Sequence, residues 1–84
     1  MPGNPIVTEF PNVAVAVTPS DSVNLPYAMS IYVGATGNVS VLPEGSSTSV
    51  TYVGVPAGTV IPCKVRRVNS TNTTASSFIG HYNP

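Results

Sequence analysis

Charge is what this chain has least of. Glu9, Asp21, Glu44, Lys64, Arg66 and Arg67 are its only charged side chains, 7% of 84 residues with a net charge of zero. An ordinary globular protein carries about 25%. Charge keeps soluble monomers apart, and a net charge near zero favours association. The exterior must instead be covered by Ser, Thr and Asn, which fill 26 positions. Such a surface is solvated without repelling its neighbours, and it suits a part of an assembly better than a free cytosolic enzyme. Cysteine is nearly absent as well. Cys63 stands alone, so no disulfide can close within the chain. Cys63 and His81 are the only soft ligands, where a structural zinc site takes four. A chain this short buries only a little over ~60% of its unfolded surface, and so small a core usually needs a staple. With disulfide and metal set aside, the staple expected is self-association into a homo-oligomer.

Long apolar runs are missing too. None approaches the ~18–20 residues that a membrane-spanning helix requires, so no membrane partner is expected. Met1-Pro2-Gly3-Asn4-Pro5 lacks the basic start and apolar stretch of a secretory signal, and synthesis in a cytoplasm is expected. The Asn-x-Ser/Thr triplets at Asn38, Asn69 and Asn72 are what this composition produces by chance, and glycosylation is not expected there.

Groups able to do chemistry are few. The carboxylates Glu9, Asp21 and Glu44 show no spacing suited to paired acid–base work. Asp21 reads as an Asx-type turn bonded to its own backbone. Cys63 and His81 could form a nucleophile and its base, but a lone cysteine in a strand reads first as a small buried hydrophobe. The Gly34-Ala-Thr-Gly37 segment leads into a strand and lacks the helix N-terminus of a phosphate site. No catalytic residue, cofactor, metal or small-molecule substrate is expected. Lys64, Arg66 and Arg67 hold all the positive charge within four positions. Three cations neutralise too few phosphates for firm nucleic-acid binding. The cluster therefore reads as a protein-contact site, or as charges that guard an edge strand against sheet-to-sheet pairing or form ion pairs within the chain.

Strand signals dominate what is present, and no stretch keeps a helical period. Val13–Val17 alternates large and small apolar residues. Ala28–Val33, the Gly34–Gly37 turn and Asn38–Leu42 read as a β-hairpin, with Val39 and Val41 facing the core and Ser40 facing out. Leu42-Pro-Glu-Gly45 and Val55-Pro-Ala-Gly58 repeat one type I turn chemistry on either side of a strand at Ser49–Val53. Thr59–Val65 contains Pro62, which belongs at an edge or a bulge. A bulge at Arg66/Arg67 would bring Val65 and Val68 to one face. Asn69–Thr73 reads as a polar turn before a last strand at Thr74–Tyr82. The fold class expected is all-β: a small antiparallel β-sandwich or open barrel of five to seven short strands. Residues 1–20 read as an extended arm and first strand, and residues 21–84 as the β-domain. In the arm, Ile6, Val7 and Phe10 are the apolar anchors that would contact a partner.

From Asp21 to Tyr82 an ordered series of short motifs carries a resemblance. Asp21 precedes Leu25-Pro26, Ile31-Tyr-Val-Gly34 ends a strand, and Gly37 leads to Val39 and Val41. Val50-Thr-Tyr52, Val55-Pro-Ala-Gly58, Ile61-Pro62, Val65-Arg-Arg-Val68 and Thr73-Thr-Ala75 follow, with Tyr82 closing the last apolar strand. The series resembles small phage-type virion proteins, a family that includes the head-spike base proteins of gene transfer agents and tailed phages. Met29-Ser30 stands where that family usually has an arginine, and Asn69–Asn72 is longer and more polar than its counterpart. The resemblance implies a non-enzymatic structural protein of the virion. It would decorate the capsid or form a spike base as a β-folded homo-oligomer, a trimer or a pentamer, with capsid or spike proteins as partners. The alternative is a free-standing protein-binding module that inhibits a host protein.

Overall fold

The structure is a computed structural model that describes residues 11–83. Ile6, Val7 and Phe10 lie outside the described residues. The described residues form six strands: β1 (Val13–Val17), β2 (Met29–Ala35), β3 (Gly37–Pro43), β4 (Val50–Val55), β5 (Thr59–Val68) and β6 (Ser76–Tyr82). They make one antiparallel sheet in the order β1-β6-β2-β5-β3-β4, and no β1–β4 pairing closes it. This is the small all-β fold expected, in its open form.

Alternation builds the core. Met29, Ile31 and Val33 of β2, Val39 and Val41 of β3, and Ile61, Val65 and Val68 of β5 turn inward and are buried. Val17, Val55, Ala75 and Phe78 complete the cluster. β-Branched side chains supply most of it, which suits pleated backbone where the branched carbon packs against its cross-strand neighbour.

The expected hairpin between β2 and β3 does not form. The two strands are separated by Thr36 alone, yet β5 lies between them in the sheet. The alternation shows why. Inward positions run through 29, 31, 33, 39 and 41 without a change of parity, so the chain bends around the core instead of reversing. β5 is long enough to serve both neighbours. Its first part pairs with β2, Val33 opposite Thr59 and Met29 opposite Val65. Its last residues pair with β3, Val41 opposite Val68 and Pro43 opposite Val65.

Two irregularities give β5 that reach. Between the Tyr32–Val60 and Ser30–Lys64 pairs it carries two extra residues, and Pro62 sits in that irregular stretch, where its missing N–H breaks no regular ladder. Arg67 opposes Leu42 and Val65 opposes Pro43, so Arg66 is the extra residue of a bulge. The bulge brings Val65 and Val68 to the core together, as the broken period at Val65–Val68 predicts.

The turns differ in placement. The hairpin that does form joins β3 and β4, and its Ser46 N–H donates to Pro43 O at 3.2 Å, one residue later than the Leu42–Gly45 turn expected. Val55–Gly58 joins β4 to β5 without pairing them. Its Gly58 N–H donates to Val33 O (2.7 Å) and its Ala57 N–H to the Thr36 hydroxyl (3.0 Å), which ties the turn to the end of β2. Gly58 has φ 89°, a conformation that a side chain disfavours.

Candidate functional site

The three cations share one strand but not one surface. Lys64 is exposed on the outer face of β5, across from Ser30. Arg66, at the bulge, turns toward the β3–β4 connection, and its Nη2 donates to Ser46 O at 2.6 Å. Arg67 turns toward other loops. Its Nε donates to Asn69 Oδ1 (2.8 Å), and its Nη1 lies 3.4 Å from Asn24 Oδ1. Both guanidinium groups are thus partly engaged by neutral oxygens of the same chain. β5 is a central strand, so none of the three charges guards a sheet edge. The edges are β1 and β4, which contain no charged residue.

Behind Arg67 the polar segment after β5 is built into the fold. Asn69 is buried, and its Nδ2 donates to Ser40 Oγ (3.1 Å) and to Ser49 Oγ (2.9 Å). Its own N–H donates to Ser40 O (2.8 Å). The Thr73 hydroxyl accepts from Ser40 N–H and the Thr74 hydroxyl from Asn38 N–H, both at 2.9 Å. Residues 69–75 therefore act as a substitute strand for the start of β3, beyond the point where β5 ends. Ser40 is buried under this segment and does not face solvent as alternation alone predicts. Asn72 takes φ 67° in the turn, which asparagine tolerates.

Asp21 locks the segment from outside. Its Oδ1 accepts from the N–H groups of Ser70 (3.0 Å) and Thr71 (2.9 Å), and its Oδ2 from the Thr71 hydroxyl at 2.6 Å. The local turn expected of Asp21 is made by Ser20 instead, whose Oγ accepts from the N–H groups of Ser22 (3.3 Å) and Val23 (3.2 Å). Asp21 makes a long-range clasp. The Thr71 hydroxyl first, and then the backbone N–H groups, hold its carboxyl at about 2, below the usual carboxylate range. A lowered folded-state pKa adds stability above the unfolded value and loses it as pH falls. Melting temperature should therefore fall as pH drops from about 4 toward 2. Asp21→Asn should melt lower at pH 7 and show a shallower fall across that window. Parallel melts of the two proteins from pH 2 to 7 check this, and identical pH profiles would remove the clasp.

Cys63 packs against the core and its Sγ lies 3.4 Å from Lys64 O, whereas His81 lies on the outer face of β6 opposite Ser30. They fall on opposite sides of the sheet, which separates the one thiol from the one imidazole. One groove, of about 300 Å³, runs between the end of β1 and the start of β6 past Pro19, Ser76 and Ser77. A second, of about 350 Å³, is lined by Pro11, Ser30, Val60 and His81. Among the described residues neither is lined by a carboxylate. Among the described residues no three His, Cys, Asp or Glu side chains gather where they could hold a metal.

No family model matches the sequence, and no curated relative does. A solved structure does: a chain in the "Capsid of native GTA particle computed with C5 symmetry" shares this fold at a TM-score of 0.73 and 32% identity. The match covers 84% of this chain and 82% of that one. The chain belongs to the phage capsid-related proteins. As a capsid-related protein, it has a surface whose features are mostly structural: a clasp, an engaged pair of arginines, an exposed lysine and two uncharged sheet edges. Arginine engagement and the burial of Asn69 are not among the features expected from the sequence. The one signal that could have suggested them is the polar Asn69–Thr74 run directly after a valine-rich strand.

Proposed function

We propose that this protein is a non-enzymatic structural part of a tailed-phage or phage-like virion, made in the host cytoplasm and assembled on the capsid as a decoration protein or spike base. It acts there as a homo-oligomer, a trimer or a pentamer, in contact with capsid or spike proteins. The observation that carries this reading is the 32% identity to a GTA capsid chain over most of both chains. Physical features support it. Two sheet edges lack the charges that ordinarily prevent strand-to-strand association. On the β4 edge Val50 and Val53 are exposed, Val53 at 78%. The first-strand arm of residues 1–20 is the proposed capsid or neighbour contact, through Ile6, Val7 and Phe10. Lys64, Arg66 and Arg67 are proposed as a second contact. Lys64 is open to solvent, while Arg66 would have to release Ser46, and Arg67 would have to release Asn69 and Asn24.

Particle reconstitution tests the reading. The full chain should bind undecorated particles in a fixed multiple of three or five copies per site and should sediment as a trimer or pentamer. A version lacking Met1 to Phe10 should stay folded at 25 °C and lose particle occupancy. A monomer that leaves particles bare but captures a host protein would establish the inhibitor alternative.

A further inference from the structure

Arg66 carries a donor that the fold leaves unused. Its Nε is buried without a hydrogen-bond partner, the one buried side-chain nitrogen or oxygen in that state among the described residues. A buried donor with no acceptor is a standing cost to the free chain. Among the described residues the guanidinium makes one hydrogen bond, from Nη2 to Ser46 O at 2.6 Å. Ser46 lies in an exposed stretch, residues 44–49, where water can replace the arginine at that carbonyl. Arg67 is held differently. Its Nε is taken by Asn69 Oδ1 at 2.8 Å, and Asn69 is buried. The positive charge is also unspent. The oxygens that Arg66 and Arg67 engage are neutral, Asp21 is committed to Ser70 and Thr71, and Glu44 is exposed.

We infer that Arg66 is the cation that meets the partner protein, turning from Ser46 to a carboxylate on the partner's surface that takes its Nε and one Nη together. The inference rests on the proposed virion role and names the chemistry of that contact. A carboxylate accepts two parallel bonds from one edge of a guanidinium, so it would satisfy the orphaned Nε and neutralise the charge at once. Position favours Arg66 over its neighbour. It is the extra residue of the β5 bulge, a place where a strand re-aims a side chain. Turning it breaks one bond to an exposed loop, whereas turning Arg67 would dismantle the Asn69 hub. Lys64, two positions away and exposed, adds attraction at longer range. A phosphate could take the same guanidinium edge, but three cations are too few for firm binding along a nucleic acid.

Binding of the full chain to undecorated particles tests this, with melting temperatures measured on the same proteins. Arg66→Gln should bind about 30-fold more weakly than the parent, the loss expected when one member of a close charge pair is removed. It should melt within about 3 °C of the parent, because the side chain makes one bond to an exposed carbonyl and leaves its Nε unpaired. Arg66→Lys keeps the charge without the paired donors and should remain about tenfold weaker. Lys64→Gln should lose only about threefold. Particles whose carboxylates are capped with carbodiimide and glycinamide should bind the parent poorly, and nuclease-treated particles should bind it normally. Equal binding by the parent and Arg66→Gln would overturn the inference and leave the virion role standing. A melting temperature lowered by more than about 3 °C in both Arg66 variants would make the residue a structural brace and also overturn it. Binding lost to nuclease and kept after capping would replace the carboxylate with a phosphate. A parent that binds no particles would reject the virion role, and this contact with it.

Discussion

Gly37→Ala is expected to remove more than half of the protein's folding stability. A Cβ at this position would lie 2.5 Å from Ala75 N, 2.7 Å from Ala75 Cα and 2.8 Å from Thr74 C. All three are backbone atoms, so no side-chain rotation relieves the contact. The backbone is held as well, because the N–H groups of Thr74 (2.9 Å) and Ala75 (3.1 Å) both donate to Asn38 O. Relief would mean moving the 69–75 segment off β3 or opening the corner between β2 and β3. Overpacking of this kind costs about 3 kcal/mol or more where nothing can yield. Total stability in a chain of this size is on the order of 5 kcal/mol. The melting temperature should fall by more than about 12 °C. Gly45→Ala is the matched control. A Cβ there meets nothing within 4 Å, so that variant should melt within about 3 °C of the parent. Equal behaviour of the two variants in thermal melts would contradict the close approach at the corner.

Asn69→Leu should cost about 2–4 kcal/mol, since it removes a hydrogen-bonding hub while keeping the number and branching of side-chain heavy atoms. Asn69 Nδ2 serves the hydroxyls of Ser40 and Ser49, and its Oδ1 receives Arg67 Nε. Leucine would leave the buried Ser40 hydroxyl without this partner and release the Arg67 side chain. Asn69→Asp should recover at least half of the loss. An aspartate still accepts from Arg67, and serine hydroxyls can rotate to donate to it. Urea unfolding should show the midpoint falling at an unchanged slope for both variants, the mark of a stability change without a change in exposed surface. If Asn69→Leu matched the parent midpoint, residues 69–75 would be a loop lying on β3 and not a substitute strand.

Much of the fold was legible because strands leave a period-two record. Val13–Val17 is a strand with the bounds its alternation marks, and the other five lie within a few residues of where their apolar patterns place them. The bulge at Arg66 and the irregularity around Pro62 were legible for a local reason: a broken alternation and a missing N–H each need a place where the ladder is irregular. The site was less legible. Lys64, Arg66 and Arg67 lie within four positions of one another, yet Arg66 and Arg67 turn to different loops and only Lys64 is exposed.

The composition and spacing of this chain by themselves determine that it is all-β, that its core is built mainly of valine and isoleucine, and that charge plays little part in its surface. These are properties of residue types and their periods. Tertiary structure alone decided which strands are neighbours. A short turn between two apolar strands predicts a hairpin, but the burial of Ile31, Val33, Val39 and Val41 in one core required a bend at Gly37 and set β5 between β2 and β3. It also decided that Asp21 reaches Ser70 and Thr71, and that Asn69 closes over Ser40. Those partners lie 49, 50 and 29 positions apart. Hydrogen bonds over such distances leave no period in the sequence, because the groups meet only once the sheet has brought their strands together.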